Sequence, residues 1–294
     1  MKIATLVTGR WDLGLLKPVI ECTKSKVITM RLEDPYSDAY GRIPNLRLQL
    51  HGLDWLILLG DRVETLCAAL AARHEGVKIC HVAGGEATAR LDGENIIMDS
   101  DYRWLITQLA DLHLPCSKEA HANIVEQKCL WSGIAIEIEG LFMPLVRRIK
   151  KRYSAKKDHC IVIYHGHPLD DVLAAIGTWP DALVFSSNPD HYIDPKIKYT
   201  PDLDHWSFLK LLREAKFIIG NSSAGIFEAP ALETPTVNIG SRQVGRIASP
   251  SIFNAAPDFD SIKKAIEKAM QPCEFVNVYA SGKKITDVLP AALW

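Results

Sequence analysis

The chain lacks a surplus of charge of either sign: 34 Lys and Arg stand against 35 Asp and Glu in 294 residues, a formal net charge of -1. Gripping nucleic acid through bulk charge needs a basic excess, so that class of partner is excluded for the chain as a whole, leaving only a local groove. No apolar run approaches the ~20 residues that span a bilayer, so no membrane partner is expected. The N-terminus, MKIATLVTGRWDLGLL, lacks the long apolar region and small-residue cleavage site of a secretory leader, and reads as mature protein from its first residue. Seven cysteines (22, 67, 80, 116, 129, 160, 273) are scattered without any C-x-x-C, which removes a zinc ribbon and a redox pair. Reduced thiols and a cytoplasmic location are the default. With 23% charged and 48% hydrophobic residues the composition is that of a globular protein, and the length predicts two domains.

Short apolar runs rich in β-branched residues alternate with helical patterns. Residues 2–8 (KIATLVT), 55–59 (WLILL), 77–82 (VKICHV) and 112–115 predict strands, and 64–74 (ETLCAALAARH) carries apolar residues at helical spacing. This β-α-β-α rhythm points to a parallel sheet covered by helices on both faces. A second set of strands is expected at 160–164 (CIVIY), 183–186 (LVFS), 217–219 (FII) and 236–239 (TVNI), with an amphipathic helix at 260–270. The basic tract 147–158 (RRIKKRYSAKKD) separates the halves and reads as a solvated helix end plus linker. The expected fold class is α/β: two doubly wound domains, residues 1–152 and 153–294, with a cleft between them. Ligands of such sheets bind at the loops beyond the carboxyl ends of the strands.

The polar clusters fall at those places. Thr8-Gly9-Arg10-Trp11-Asp12 follows the first strand, Gly60-Asp61-Arg62 follows WLILL, and Gly84-Gly85-Glu86 follows the strand ending in His81-Val82. In the second half, GNSSAG (220–225) follows FII and runs into a helix. A strand, a Gly/Ser turn and a helix N-terminus offer backbone N–H groups and a positive dipole end to an anion. The spacing is neither that of a P-loop nor G-x-G-x-x-G. A Ser N-cap without a ligand is the bland alternative, but Arg242, Gln243 and Arg246 after the next strand would add polar and charged groups for a diphosphate. In the first half Asp61, Glu86 and Asp99 sit on successive segments after strands. Convergent carboxylates suit acid–base work, because burial and mutual repulsion push their pKa values apart. Singly, Asp61 could equally cap a helix and Glu86 lie in solvent. His165 and His167 sit two apart, but no third ligand of matching pattern accompanies them, so no metal site is assigned.

Together these motifs resemble the hydrolysing UDP-N-acetylglucosamine 2-epimerases, in the branch that supplies N-acetylmannosamine for sialic acid synthesis. The blocks that carry the resemblance are GNSSAGIFEAPALETPTVNIGSRQVGR (220–246), GDRVETLCAALAA (60–72), HVAGGEAT (81–88) and ITQLADLHL (106–114). TGRWDLGLLKPVI, His167-Pro168 and Asn188-Pro189-Asp190 are similar to further family signposts. The resemblance implies two Rossmann-like domains in the glycosyltransferase-B arrangement, with UDP held mainly by the second domain. Ser222, Ser223 and Glu228 would hold diphosphate and ribose, and Arg242, Asn188, Arg10 and Arg62 would complete the nucleotide site. Asp61, Glu86, Asp99 and His167 would lie near the sugar as catalytic residues. The implied reaction uses no cofactor, neither metal nor nicotinamide: UDP is eliminated, then water adds to give N-acetylmannosamine. A homodimer through the first domain is also implied, with helix 64–74 as its expected surface.

The chain departs from the family at four points. It is shorter than the usual members, and little is expected between the first strand and WLILL. Ala83 stands where many relatives carry Glu, and in the family's D-D-S-I-R-H-like stretch, here Asp99-Ser100-Asp101-Tyr102-Arg103-Trp104, one carboxylate has moved and Trp replaces His. Two other readings therefore stay open at the level of sequence: a glycosyltransferase acting on a nucleotide sugar, and a nucleotide-sugar binder without chemistry.

Overall fold

A computed structural model describes residues 1–30, 39–88, 91–92, 95–96, 98–126, 133–155, 157, 159–165, 174–175, 182–185 and 203–293. The chain forms two compact units: Met1–Arg90, Ile96–Leu141 and Tyr279–Trp294 make the first, Leu91–Asn95 and Phe142–Val278 the second. No helix among the described residues is long and apolar enough to cross a membrane.

In the first unit the chain runs β1 (Ile3–Val7), α1 (Arg10–Thr23), β2 (Lys26–Thr29), α2 (Ile43–Leu50), β3 (Trp55–Leu59), α3 (Val63–His74) and β4 (Lys78–Val82). After the two-residue strands β5 (Leu91–Asp92) and β6 (Asn95–Ile96), which form a ladder of their own, come α4 (Asp99–Leu109), β7 (Leu112–Leu114), α5 (Lys118–Glu126) and β8 (Ile134–Ala135). The main sheet has the order β2-β1-β3-β4-β7-β8, and every neighbouring pair is parallel. A parallel strand covered on both faces needs apolar residues on both, which is why β3 reads WLILL and Leu56, Ile57 and Leu58 are all fully buried.

α3 is buried almost all round, from Val63 to Ala72 with Leu70 as the exception. An Ala-rich helix covered on nearly every side, its buried Glu64 paired with Arg62, belongs to an interior, and α3 packs against α2 and α4. The expectation that it offers a subunit surface is thereby corrected. The interval before β3 also holds more than the sequence suggested: α1, β2 and α2 fill it.

The second unit begins with α6 (Met143–Arg152), followed by β9 (His159–Ile163), β10 (Ala182–Phe185), α7 (His205–Glu214), β11 (Ala215–Gly220), α8 (Ala224–Ala231), β12 (Thr236–Ile239), β13 (Ile252–Ala255) and α9 (Phe259–Ala269). Its sheet order is β10-β9-β11-β12-β13, again parallel throughout. Val162, Phe217, Ile219, Val237 and Ile239 from the strands meet Ile262, Ala265, Ile266 and Ala269 of α9 in one core. The last helix, α10 (Ile285–Ala292), returns to the first unit and packs on α1.

The unit boundaries differ from the expected division after residue 152. Up to that point the basic tract is the expected solvated helix end, the solvent face of α6, whose Met143, Val146 and Ile149 are buried while Arg147, Arg148, Lys150, Lys151 and Arg152 are exposed. That apolar stripe packs on α7 and α8, which ties the helix to the second unit. Both units are Rossmann-like α/β folds, the class expected of a glycosyltransferase-B chain.

In each sheet the order turns back on its first strand, β2-β1-β3 and β10-β9-β11. Successive connections then leave that strand in opposite directions, and a crevice opens beyond the carboxyl ends of the strands on either side of the switch. The same geometry explains Gly220, the last residue of β11, whose φ is +139 and where an added Cβ would sit 1.8 Å from the Ile163 carbonyl oxygen of β9. Gly220→Ala is expected to destabilise the second unit by roughly 3–5 kcal/mol, since backbone rather than a flexible side chain blocks the methyl. A thermal melt unchanged from wild type would contradict this.

Candidate active site

At the switch point of the first unit, β1 leads into α1 and β3 into Gly60-Asp61-Arg62. Asp12 secures the first turn: its Oδ2 accepts from the Thr8 amide (3.0 Å), the Thr8 hydroxyl (2.6 Å) and the Gly9 amide (2.8 Å). Arg10 is the first residue of α1, but its side chain lies outside the described residues. Arg62 precedes α3, makes no capping bond, and donates through Nη2 to Glu64 Oε1 at 3.1 Å. Asp61 is not a helix cap either. Its carboxylate accepts from Nη2 of Arg103, which lies 3% exposed on α4.

Arg103 also donates through Nη1 to the backbone oxygen of Glu86 at 2.9 Å. One guanidinium therefore joins the loops that follow β3 and β4. Two further buried residues on the same face of α4 support them, at i-3 and i+4. The Ser100 hydroxyl accepts from the Thr88 amide at 3.5 Å, and Thr107 Oγ1 lies 3.2 Å from Nδ1 of His81. His81 Nε2 is 2.8 Å from the Gly60 carbonyl oxygen. Burial pushes the His81 imidazole down to about 4, so it is neutral at pH 7. The neutral ring bonds both ways when Nε2–H donates to Gly60 and Nδ1 accepts from Thr107. On the far side, Asn123 Nδ2 donates to the Gly85 carbonyl at 2.9 Å, fastening the same loop to α5.

Of the four expected catalytic residues, Asp61 and Glu86 are thus brought onto one support, and Asp99 begins the helix that provides it, one turn before Arg103. His167 lies outside the described residues, as does Asn188 of the expected binding set.

In the second unit the switch point is closed by Asn221, fully buried just after β11. Its side chain pairs with both backbone groups of His165 after β9: Oδ1 accepts from the His165 amide and Nδ2 donates to its carbonyl, each at 2.7 Å. Gln243 was expected to face a ligand. It is buried instead, donating through Nε2 to the Asn221 carbonyl at 2.7 Å. Burial, and then the charge of Arg242, pushes His165 down to about 4, which places Arg242 beside the same turn.

Ser222 and Ser223 stand half-buried before α8; the Ser222 hydroxyl accepts from the Ala224 amide at 3.3 Å, while Ser223 occupies the N-cap position without a side-chain capping bond. Glu228, one turn into α8, pairs with His205 Nε2 at 3.0 Å. Arg246 stacks its guanidinium on Phe227 with 4.6 Å to the ring centroid. The arrangement offers a helix N-terminus, hydroxyls and an arginine to an anionic group, and a fixed carboxylate nearby.

Arg103, Ser100, Thr107, Asn221 and His205 were not singled out from the sequence. The signal for the first three was present: S-x-x-R-x-x-x-T puts polar residues on one helical face. It becomes visible only once residues 99–109 are assigned as a helix.

A family model described as UDP-N-acetylglucosamine 2-epimerase matches residues 47–136 and 142–289. Polysialic acid biosynthesis protein P7 of Escherichia coli is 26% identical over 261 residues, 78% of this chain and 65% of that protein. The UDP-N,N'-diacetylbacillosamine 2-epimerase (hydrolyzing) of Legionella pneumophila is 26% identical over 263 residues, 78% of this chain and 68% of that one. The chain spans about two thirds of the length of these relatives. Among solved structures, the UDP-GlcNAc 2-epimerase of Methanocaldococcus jannaschii in complex with UDP-GlcNAc and UDP superposes with a TM-score of 0.78 at 14% identity, covering 99% of both chains. That of Neisseria meningitidis bound to UDP-GlcNAc gives 0.76 at 14% identity, covering 100% of this chain and 99% of that one. At such identities the structural likeness is one of fold.

Proposed function

The chain belongs to the UDP-N-acetylglucosamine 2-epimerase family, and from that premise we propose that it is a hydrolysing 2-epimerase, acting on UDP-N-acetylglucosamine or a close diacetamido analogue. The observation that carries the reading is the latch of Asp61 and the Glu86 loop onto Arg103 at the switch point of the first unit. It holds the Asp61 carboxylate and the backbone of the Glu86 loop on one guanidinium, which supports a role in removal and return of a proton.

In this reading a carboxylate takes the C2 proton while the C1–O bond to UDP breaks, and the electron pair of the C2–H bond forms the double bond of a 2-acetamidoglucal. Water then adds its oxygen to C1, and a proton returns to C2 from the opposite face. The products are an N-acetylmannosamine-type sugar and UDP. Asp61, Glu86, Asp99 and His167 make up the proton-transfer set. The charge of the leaving diphosphate is stabilised by the N–H groups and by Ser222 and Ser223 at the start of α8, and by Arg242 from the loop after β12. Glu228 reads the ribose, held by His205, while Arg10, Arg62 and Asn188 complete the nucleotide site. The names of the Escherichia coli and Legionella relatives support the sialic-acid-type branch and the diacetamido alternative, respectively. A cytoplasmic homodimer belongs to the same reading. Its surface lies elsewhere than on α3, and a clean monomer mass by light scattering would discard it.

The reaction is tested with UDP-GlcNAc in heavy-oxygen, deuterated water. The expected product is a free mannosamine sugar with label at C1 and deuterium at C2. Recovery of UDP-ManNAc, of unchanged substrate beside bound nucleotide, or of sugar only when an acceptor is supplied would replace this reading.

A further inference from the structure

We propose that Arg103 is the positioning residue of the acid–base site, its guanidinium holding the Asp61 carboxylate and the Glu86 loop in fixed relation before substrate arrives. The proposal rests on the hydrolytic reading above and adds to it a residue whose chemistry is indirect.

Stability alone gives little reason for a guanidinium at this place. Taking a charge out of water is costly, and a buried ion pair is often no better than well-packed apolar groups of similar volume. Arg103 is 3% exposed, and its neighbours on the same helical face, Ser100 and Thr107, are buried as well. The opposite pattern appears elsewhere on α4: Ile106 is fully buried, and Tyr102 and Leu109 pack against the core of the unit. Helix α4 thus has an ordinary apolar face and beside it a buried polar stripe at positions i, i+3 and i+7. Each member of that stripe is spent on the loops after β3 and β4: Ser100 on Thr88, Arg103 on Asp61 and Glu86, Thr107 through His81 on Gly60.

The two bonds of Arg103 are made by different nitrogens of one planar group. Their acceptors, one a side-chain oxygen and one a backbone oxygen, are therefore fixed relative to each other and to a rigid helix. A lysine ammonium on a flexible stem cannot impose that relation. Sites carried on helices and supported from behind keep their geometry better than sites left to loops, and an error of about 1 Å in placement costs as much as ~100-fold in rate.

The test uses the full chain and UDP-GlcNAc turnover, with folding checked by melting. Arg103→Ala is expected to lower kcat by about 100-fold while changing KM by less than about threefold, because proton transfer rather than nucleotide binding is misplaced. Arg103→Lys restores little of the loss. Free guanidinium at millimolar, non-denaturing concentration restores kcat of Arg103→Ala by roughly tenfold and does nothing for wild type. A merely structural role would show as a lower melting temperature with kcat per folded molecule unchanged, and that result overturns the assignment. So does full recovery in Arg103→Lys. If Arg103→Ala does not fold, Arg103→Gln, which keeps a planar donor, takes its place with the same kcat and KM expectations. A wild-type protein that releases no mannosamine sugar would instead overturn the functional reading itself.

Discussion

Asp61→Asn is expected to lower kcat for release of mannosamine sugar from UDP-GlcNAc by about 10³-fold, the usual scale for losing a positioned acid–base group. The substitution is nearly isosteric. Its remaining carbonyl oxygen can still accept from Arg103 Nη2, so the latch between the loops is retained while the charge and basicity are lost. The buried guanidinium would then lack its carboxylate. Removing one partner of a buried pair costs about 3–5 kcal/mol. Asp61 is 21% exposed and the amide keeps the hydrogen bond, so a loss of about 1–2 kcal/mol is expected here. The two effects separate in measurement: a modest drop in melting temperature, with a much larger drop in turnover per folded molecule. Wild-type turnover in Asp61→Asn would reduce Asp61 to an anchor for Arg103 and leave Glu86, Asp99 and His167 as the acid–base candidates.

Acid should weaken the protein well above the pH at which carboxylates titrate. His81, His113 and His165 are each pushed down to about 4, in every case first by burial. In the unfolded chain they titrate near 6.5. The sign follows from that difference: a folded-state pKa below the unfolded one makes protons bind the unfolded chain preferentially. The stabilisation is therefore complete above about pH 6.5 and is lost as the pH falls through the window down to about 4. At pH 5 the loss is about 2 kcal/mol per histidine, a large share of the roughly 5–15 kcal/mol that holds a typical domain together.

The effect is not shared equally. His81 and His113 are register partners on β4 and β7 of the first unit, where each cation would repel the other, while His165 stands alone of the three in the second unit. Neither ring nitrogen of His113 has a hydrogen-bond partner among the described residues, and Asp111 nearby offsets only part of its desolvation. Hydrogen exchange between pH 7 and 5 should show the first unit losing protection about twice as steeply as the second. His113→Leu should flatten that dependence. A pH-independent stability across this range, or an unchanged slope in His113→Leu, would refute the account.

Much of the architecture was legible beforehand because local patterns carry it. A strand buried on both faces must be apolar throughout, so WLILL and TVNI could be placed at sight, and the alternation of such runs with helical spacing implied parallel sheets. The basic run 147–152 was legible as a solvated helix end, but the buried stripe of Val146 and Ile149 beneath it, which ties α6 to the second unit, was not. The helix α3 was recognised but assigned an exposed role, because Ala-rich amphipathicity does not say how many sides are covered. Arg10, His167 and Asn188 rest on resemblance, since their side chains lie outside the described residues.

The sequence by itself determined the α/β class, the positions of the polar clusters at strand ends and, through resemblance, the family. Only the tertiary structure decided which clusters meet and what holds them. Asp61 and Arg103 are 42 residues apart and His165 and Asn221 are 56 apart, each pair joined across loops that the strand order brings together. Spacing along a chain reports which residues share a helix or strand face. It says nothing of which strands become neighbours, because that depends on crossovers whose packing is settled by the whole core.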